Sequence, residues 1–402
     1  MSRNTKKSAA VYSLASIGLF LAAAIALVAH AQSAQLPPVP APQSVPAPGT
    51  ATNGVYQPTP ILQGGVVIAL YPPDSPHLNH ARLSEPEKYT MSKAVPGRIS
   101  QIVNVNNPSI EIHTVEHGIN TGAAIILVPG GGHNFLNVAS EGADFVPFFY
   151  NYGVNAIILR NRLRKDGYDV QKDAVNDAQQ AIRLVRAYAK NFDIDPNKIG
   201  MMGFSAGAEL TSDAAIEYPE FEKTNDDPGD PLAGISARPD FVGIIYPGPT
   251  PFAPGRTAPA IPRDVPPAFI VCGASGDQVH AMWALEYFQA MLALDVPDIE
   301  MHLYAVGRHP GEAMDNGTNM TGGLTDRDDS PYGTWQMRFI DWFREMGFLQ
   351  KPGVETKAAA DNAAFAASHP TADSPNPAQP PRATSAAPPA PPTGMNVTVQ
   401  PH

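Results

Sequence analysis

The chain has 402 residues, 27 Lys plus Arg against 38 Asp plus Glu, and a formal charge of −11. Charge so sparse and acidic builds no basic stripe for phosphate, which argues against nucleic acid as a partner. A single cysteine, Cys272, excludes an internal disulfide framework and Cys-rich zinc or iron–sulfur sites.

Arg3, Lys6 and Lys7 precede an apolar run from Val11 to Val28, and Ala29-His30-Ala31 follows as a small–x–small cleavage pattern. Residues 1–31 therefore read as a signal peptide, with a mature start at Gln32 and a periplasmic or extracellular destination. The competing reading is an uncleaved anchor, because the run exceeds the ~7–15 residues of an ordinary signal core. Membrane contact is expected only in that case. Residues 32–60 are Pro/Ala-rich and read as an extended linker, and residues 352–402 as a disordered tail of the same composition. Residues 61–351 remain for one domain.

Within that domain Arg98–Val105 and Ser109–Val115 alternate openly and predict antiparallel strands. Near-continuous apolar runs follow at Ala123–Val128, Val154–Leu159, Ile199–Phe204, Phe241–Tyr246, Ala268–Cys272 and Met301–Val306. Such runs suit strands buried on both faces. Between them the helical period predicts helices over Val175–Asn191, Ala206–Glu217, His280–Leu294 and Thr334–Met346. This order predicts an α/β fold with a mostly parallel central sheet and helices on both faces.

Gly203-Phe204-Ser205-Ala206-Gly207 satisfies G-x-S-x-G after a strand and before a helix. In that context the glycines permit a sharp turn that lifts a nucleophilic Ser205 above the sheet. Gly130-Gly131-Gly132 follows an earlier strand and reads either as a plain tight turn or as an oxyanion loop. In the second case the donors are the N–H groups of Gly131 or Gly132 and of Ala206. A phosphate loop is disfavoured, since no Lys-Ser/Thr follows.

A serine needs a histidine base oriented by a carboxylate, in the chain order Ser, acid, His. Of the histidines after Ser205, His369 and His402 lie in the tail, His302 lies inside a strand, and His280 opens a helix too near the best acid. His309 follows the last strand and is the expected base. Asp277 follows the penultimate strand and is the expected acid, with a plain helix cap as its alternative. Asp264 and Asp298 precede strands and rank lower. His77, His80, His113 and His117 lack a metal-binding carboxylate pattern, the Asp326–Asp329 cluster lacks calcium-loop spacing, and Cys272 reads as a core thiol.

The segments LVPGGGHNF, DAQQAIRLVRAYAKNFDIDPNKIGMMGFSAGAEL and LYAVGRHPGE resemble exported α/β-hydrolases of the acetyl-esterase/acetylxylan-esterase-like group, close to the hormone-sensitive-lipase branch. The resemblance covers roughly Leu70 to Leu349. It implies the α/β-hydrolase fold, a Ser205–Asp277–His309 triad and the Gly130–Gly132 loop. It also implies removal of acetyl or other short acyl groups from small esters or acylated carbohydrate such as xylan, with no cofactor or metal. Three positions depart from the group's habit: His280 where Pro is common, Pro310-Gly311 after the histidine, and Ala208-Glu209 after the elbow. A serine peptidase of the prolyl-oligopeptidase kind and a non-catalytic binding protein on the same fold are the rival readings. The sequence leaves the oligomeric state open.

Overall fold

The computed structural model describes residues 36–42, 54–93, 95–225, 230–309 and 332–369. The expected signal peptide lies outside the described residues. Among the described residues ten strands run in chain order as β1 (Val66–Ala69), β2 (Lys88–Met91), β3 (Ile99–Val103), β4 (Ser109–His113), β5 (Ala124–Val128), β6 (Asn155–Arg160), β7 (Ile199–Phe204), β8 (Val242–Ile245), β9 (Ala268–Ser275) and β10 (Glu300–Val306). Eight of them form one sheet in the order β1-β4-β6-β5-β7-β8-β9-β10, and β2 pairs with β3 apart from it. β1 and β4 run antiparallel at one edge, and from β6 to β10 every pairing is parallel.

Strands β5, β7 and β8 are apolar and buried along their whole length because both of their faces are covered, whereas β6 ends on Arg160 and the edge strand β10 carries Glu300 and an exposed Leu303. Along β5, Ile125 and Leu127 join one core cluster while Ala124, Ile126 and Val128 join the other, as the two-residue period of a strand requires. Helix α1 (Phe145–Tyr150) covers the first face and α2 (Val175–Ala187) the second. On α2, Ala178, Ile182 and Val185 point inward at helical spacing, all fully buried. Helix α3 (Ala206–Thr224) follows β7, α4 (Gln278–Leu292) follows β9, and α5 (Trp335–Glu345) seals the first cluster through Trp335, Phe339, Trp342 and Phe343.

Two boundaries differ from the sequence reading. The region taken as a disordered tail, 352–402, contains α6 (Lys357–Ser368). Its alanine-rich sequence has no proline and favours helix. Thr356 caps it by accepting the Ala359 N–H at 3.0 Å, and Ala358 and Phe365 bury against the core. Asn362 Nδ2 donates to the Val265 carbonyl at 2.7 Å. Similarly, the described parts of the expected linker 32–60 are docked. Tyr188 donates to the Pro37 carbonyl at 2.7 Å, and Tyr56 is buried, its carbonyl accepting from Asn107. Proline content marked these segments as coreless, yet their apolar and backbone groups find partners on the body.

Against the N-terminal segment sits a buried charge cluster. Arg160, at the end of β6, is fully buried and donates to Glu87 at 3.0 Å, to Glu111 at 2.6 Å and to the Thr59 carbonyl at 2.6 Å. Glu111 also accepts the N–H groups of Ile61 and Leu62. A buried ion cluster is tolerable only when its hydrogen bonds are filled, and here the N-terminal segment helps to fill them.

Candidate active site

The turn between β7 and α3 is a strained elbow. Ser205 has φ +52° and ψ −119°, a conformation that non-glycine residues seldom adopt. It is held from both sides: Ser205 N–H donates to the Ile245 carbonyl at 3.0 Å, and Gly248 N–H donates to the Ser205 carbonyl at 2.9 Å. The flanking glycines are steric requirements. A Cβ on Gly207 would lie 1.9 Å from the Val128 carbonyl oxygen, and one on Gly203 would lie 2.2 Å from that of Gly207. Helix α3 therefore starts against the end of β5, which aims its N-terminus at the region in front of the serine.

Ser205 Oγ lies 2.8 Å from His309 Nε2, and His309 Nδ1 lies 3.1 Å from Asp277 Oδ2. Asp277 follows β9 and His309 follows β10, so three chain segments meet at the ends of three sheet strands. A carboxylate only accepts, so Nδ1 of His309 carries the proton and Nε2 presents its lone pair to the serine hydroxyl. The helix-cap alternative for Asp277 does not describe the geometry. Its side chain caps nothing in α4, its carbonyl accepts from Ala281 N–H, and its carboxylate turns to the histidine. Burial pushes that carboxyl up, but hydrogen bonds from His280 and His309 outweigh it and leave Asp277 below its usual value. Burial lowers His309, and the hydrogen bond to Asp277 offsets this only in part.

The glycine loop lies against the elbow: a Cβ on Gly130 would be 2.9 Å from the Ser205 Cβ. Gly131 and Gly132 take φ +134° and +60°, open to glycine at no steric cost. Gly130 N–H is consumed by Glu141 Oε2 at 2.7 Å. Among the described residues the N–H groups of Gly131 and Gly132 donate to nothing. As the first residue of α3, Ala206 has an N–H that its helix leaves unpaired.

Sequence reasoning missed the supports of this arrangement. Glu141 is buried and accepts both from Gly130 N–H and from Tyr246 OH at 3.1 Å, while the Tyr246 ring sets its edge against His309. His133 Nε2 meets Glu209 Oε2 at 2.9 Å, tying the glycine loop to the first turn of α3. Glu209 had been visible only as a departure from the related motif. His280 donates to the other oxygen of Asp277.

The remaining candidates are engaged elsewhere. Asp264 accepts from Tyr218, Asp298 pairs with Lys357, and His302 pairs with Glu300 inside β10. His80 reaches the Ser75 carbonyl, His113 pairs with Glu111 and His117 with Asp193. Cys272 is buried, and burial together with the Asp277 charge pushes its thiol well up, which leaves it unreactive.

A family profile described as BD-FAE matches residues 110–242, about a third of the chain, spanning the glycine loop and Ser205 but neither Asp277 nor His309. Over 124 residues the chain is 32% identical to endo-1,4-beta-xylanase B of Butyrivibrio fibrisolvens, covering 31% of this chain and 19% of that protein. Over 162 residues it is 28% identical to an acetylxylan esterase of Xylanibacter ruminicola, covering 40% of this chain and 28% of that one. The chain thus matches less than a third of the length of either relative. Among solved structures, an acetyl ester-xyloside bifunctional hydrolase from Caldicellulosiruptor lactoaceticus superposes with a TM-score of 0.51 at 24% identity, covering 71% of this chain and 97% of that one. Sheet order, elbow and this likeness agree: the chain has the α/β-hydrolase fold.

Proposed function

We propose that the chain is a serine carboxylesterase that removes short acyl groups, acetyl among them, from hydroxylated alcohols such as xylan. The observation that carries the reading is the relay from Ser205 Oγ through His309 to Asp277, at 2.8 and 3.1 Å. Ser205 attacks the ester carbonyl as His309 Nε2 takes its proton, and the tetrahedral oxyanion turns to the N–H groups of Gly131, Gly132 and Ala206. Collapse of this intermediate breaks the bond to the alcohol oxygen, which receives the proton from His309. Water then repeats the sequence on the acyl-serine and releases the acid. Asp277 holds the tautomer and stabilises the imidazolium.

The carbohydrate side of the reading is supported by the names of the two curated relatives. It is supported too by the polar side chains beside the elbow and the glycine loop. Glu209 accepts from Gln171 and pairs with His133, Arg256 donates to Gln171, and Arg164 donates to the Gly132 carbonyl. Such groups suit hydroxyls better than an aliphatic chain. Export of the protein, with cleavage before Gln32, belongs to the same proposal and rests on residues 1–31. N-terminal sequencing of the protein from its host tests it.

The test of function is hydrolysis of p-nitrophenyl acetate, butyrate and octanoate, and of acetylated xylan, beside Ser205→Ala. Turnover on acetate that disappears in the variant is expected. Absence of Ser205-dependent turnover on every ester would overturn the reading in favour of a binding protein, and cleavage of a proline-containing peptide instead would favour the peptidase.

A further inference from the structure

Asp277 is shared between two histidines. Its Oδ2 accepts from His309 Nδ1 at 3.1 Å, and its Oδ1 accepts from His280 Nδ1 at 2.5 Å. The two imidazoles lie face to face, centroids 3.6 Å apart and planes within 7°. Trp283 packs against His280 in a T-shaped contact, ring centroids 5.2 Å apart. His280 stands on the first turn of α4, three residues after Asp277, so one helical turn delivers both the acid and the second imidazole to the base.

The donor atoms of Asp277, His280 and His309 all lie within 4.8 Å of one another, yet the stack does not suit a cation. An ion shared by two parallel rings would sit about half of their 3.6 Å separation out of each ring plane. Imidazole binds metals through a nitrogen lone pair in the ring plane. Hydrogen bonding to one carboxylate accounts for both nitrogens instead.

We propose that His280 is a positioning residue that fixes the Asp277 carboxylate for His309 and couples the protonation of the two stacked rings, so that turnover requires both to be neutral. The proposal rests on the esterase reading above. A proton on His280 leaves His309 free to act as a base in the ground state. It opposes the charge that His309 must take up when it removes the Ser205 proton, a ring-stack distance away. Two interacting sites on one carboxylate then lose protons in steps that belong to the pair. Other titratable groups against this unit include Cys272 on β9, 3.8 Å from Asp277, and Tyr246 beyond β8. Tyr246 is backed by Glu141. Cys272 stays a neutral thiol, and Glu141 is two contacts away, so neither substitutes for His280.

Two variants separate placement from titration. His280→Asn keeps an N–H donor near the position of Nδ1 but cannot take a proton, whereas His280→Ala removes donor, charge and stacking face together. In the full chain, His280→Ala should lower kcat about tenfold or more with little change in KM, as loss of a charge-assisted hydrogen bond allows. His280→Asn should restore kcat to within a few-fold. Nuclear magnetic resonance of ¹⁵N-labelled histidine should show the His309 ring titrating in two steps in the wild type and in one step in His280→Asn. A single His309 step unchanged by His280→Asn, or wild-type kcat in His280→Ala, would overturn the proposal. The titration is read without turnover. Failure of the esterase reading, seen as no Ser205-dependent hydrolysis, is therefore distinct from failure of the coupling.

Discussion

Replacing Asp277 by Asn changes one atom, and the structure specifies what that atom does. The carboxylate accepts two imidazole N–H groups, from His280 at 2.5 Å and His309 at 3.1 Å, and its side chain is only 2% exposed, so water cannot stand in. An amide offers one accepting oxygen and one donating NH₂. If the oxygen serves His280, the NH₂ faces His309 Nδ1 and drives its proton to Nε2, where it points at Ser205 and can remove nothing. If the oxygen serves His309, the tautomer survives but the charge that balances the imidazolium is gone. In triads of this type the substitution costs about 10⁴-fold in kcat, roughly 5.5 kcal/mol of transition-state stabilisation. Stability should fall by much less, about 1.5–3 kcal/mol for a lost hydrogen bond to a charged group. The sign with pH follows from the lowered Asp277. Its contribution is present at neutral pH and is lost as pH falls through the folded value, so the gap in stability between wild type and variant should close in acid. The assay is kcat on a short ester beside urea denaturation of both proteins. A variant that keeps kcat within tenfold while losing stability would refute the role of Asp277 and return it to structure alone.

Three further outcomes are expected. Because burial lowers His309, the acid limb of kcat/KM in His280→Asn, where that ring titrates without its stacked neighbour, should fall below the ~6.5 of a free histidine, and a midpoint above that value in the variant's pH–rate profile would contradict this. Glu141→Ala should leave the Gly130 N–H buried without its acceptor, lower stability by about 1–3 kcal/mol, and reduce kcat toward the ~10²–10³-fold loss of an oxyanion donor. Glu141→Gln, which can keep both contacts, should stay near wild type in the same kinetic and denaturation assays. Relative to a chain that ends at residue 369, one that ends at residue 351 lacks α6 and the buried Phe365 and should be less stable by about 2–3 kcal/mol. Equal melting temperatures would contradict the docking of that helix.

What the sequence made legible has a common physical origin. The apolar runs of β5 to β9 lie in strands covered on both faces, so they stand out without tertiary information. The elbow is legible because Gly203 and Gly207 are forced by backbone contacts of 1.9 to 2.2 Å for any added Cβ, which leaves a local motif. Chain order then selects His309 and Asp277. The supports were not legible because they are made across long sequence separations. Glu141 meets Gly130 and Tyr246, and His133 meets Glu209, through pairings that no local pattern encodes. His280 was set aside as a base for its closeness to Asp277, and that closeness is what stacks it on His309. Composition misjudged the ends: alanine and proline were counted together, although the proline-free Lys357–Ser368 forms a capped helix.

The central claim is that His309 and Asp277 activate Ser205 as a nucleophile, and covalent capture tests it most directly. The protein is treated with an alkyl phosphonate ester probe and its intact and peptide masses are measured. A single adduct on Ser205 is expected, absent from Ser205→Ala and slowed by orders of magnitude in His309→Ala. An unmodified Ser205 in the wild type, or labelling at the same rate without His309, would contradict the claim.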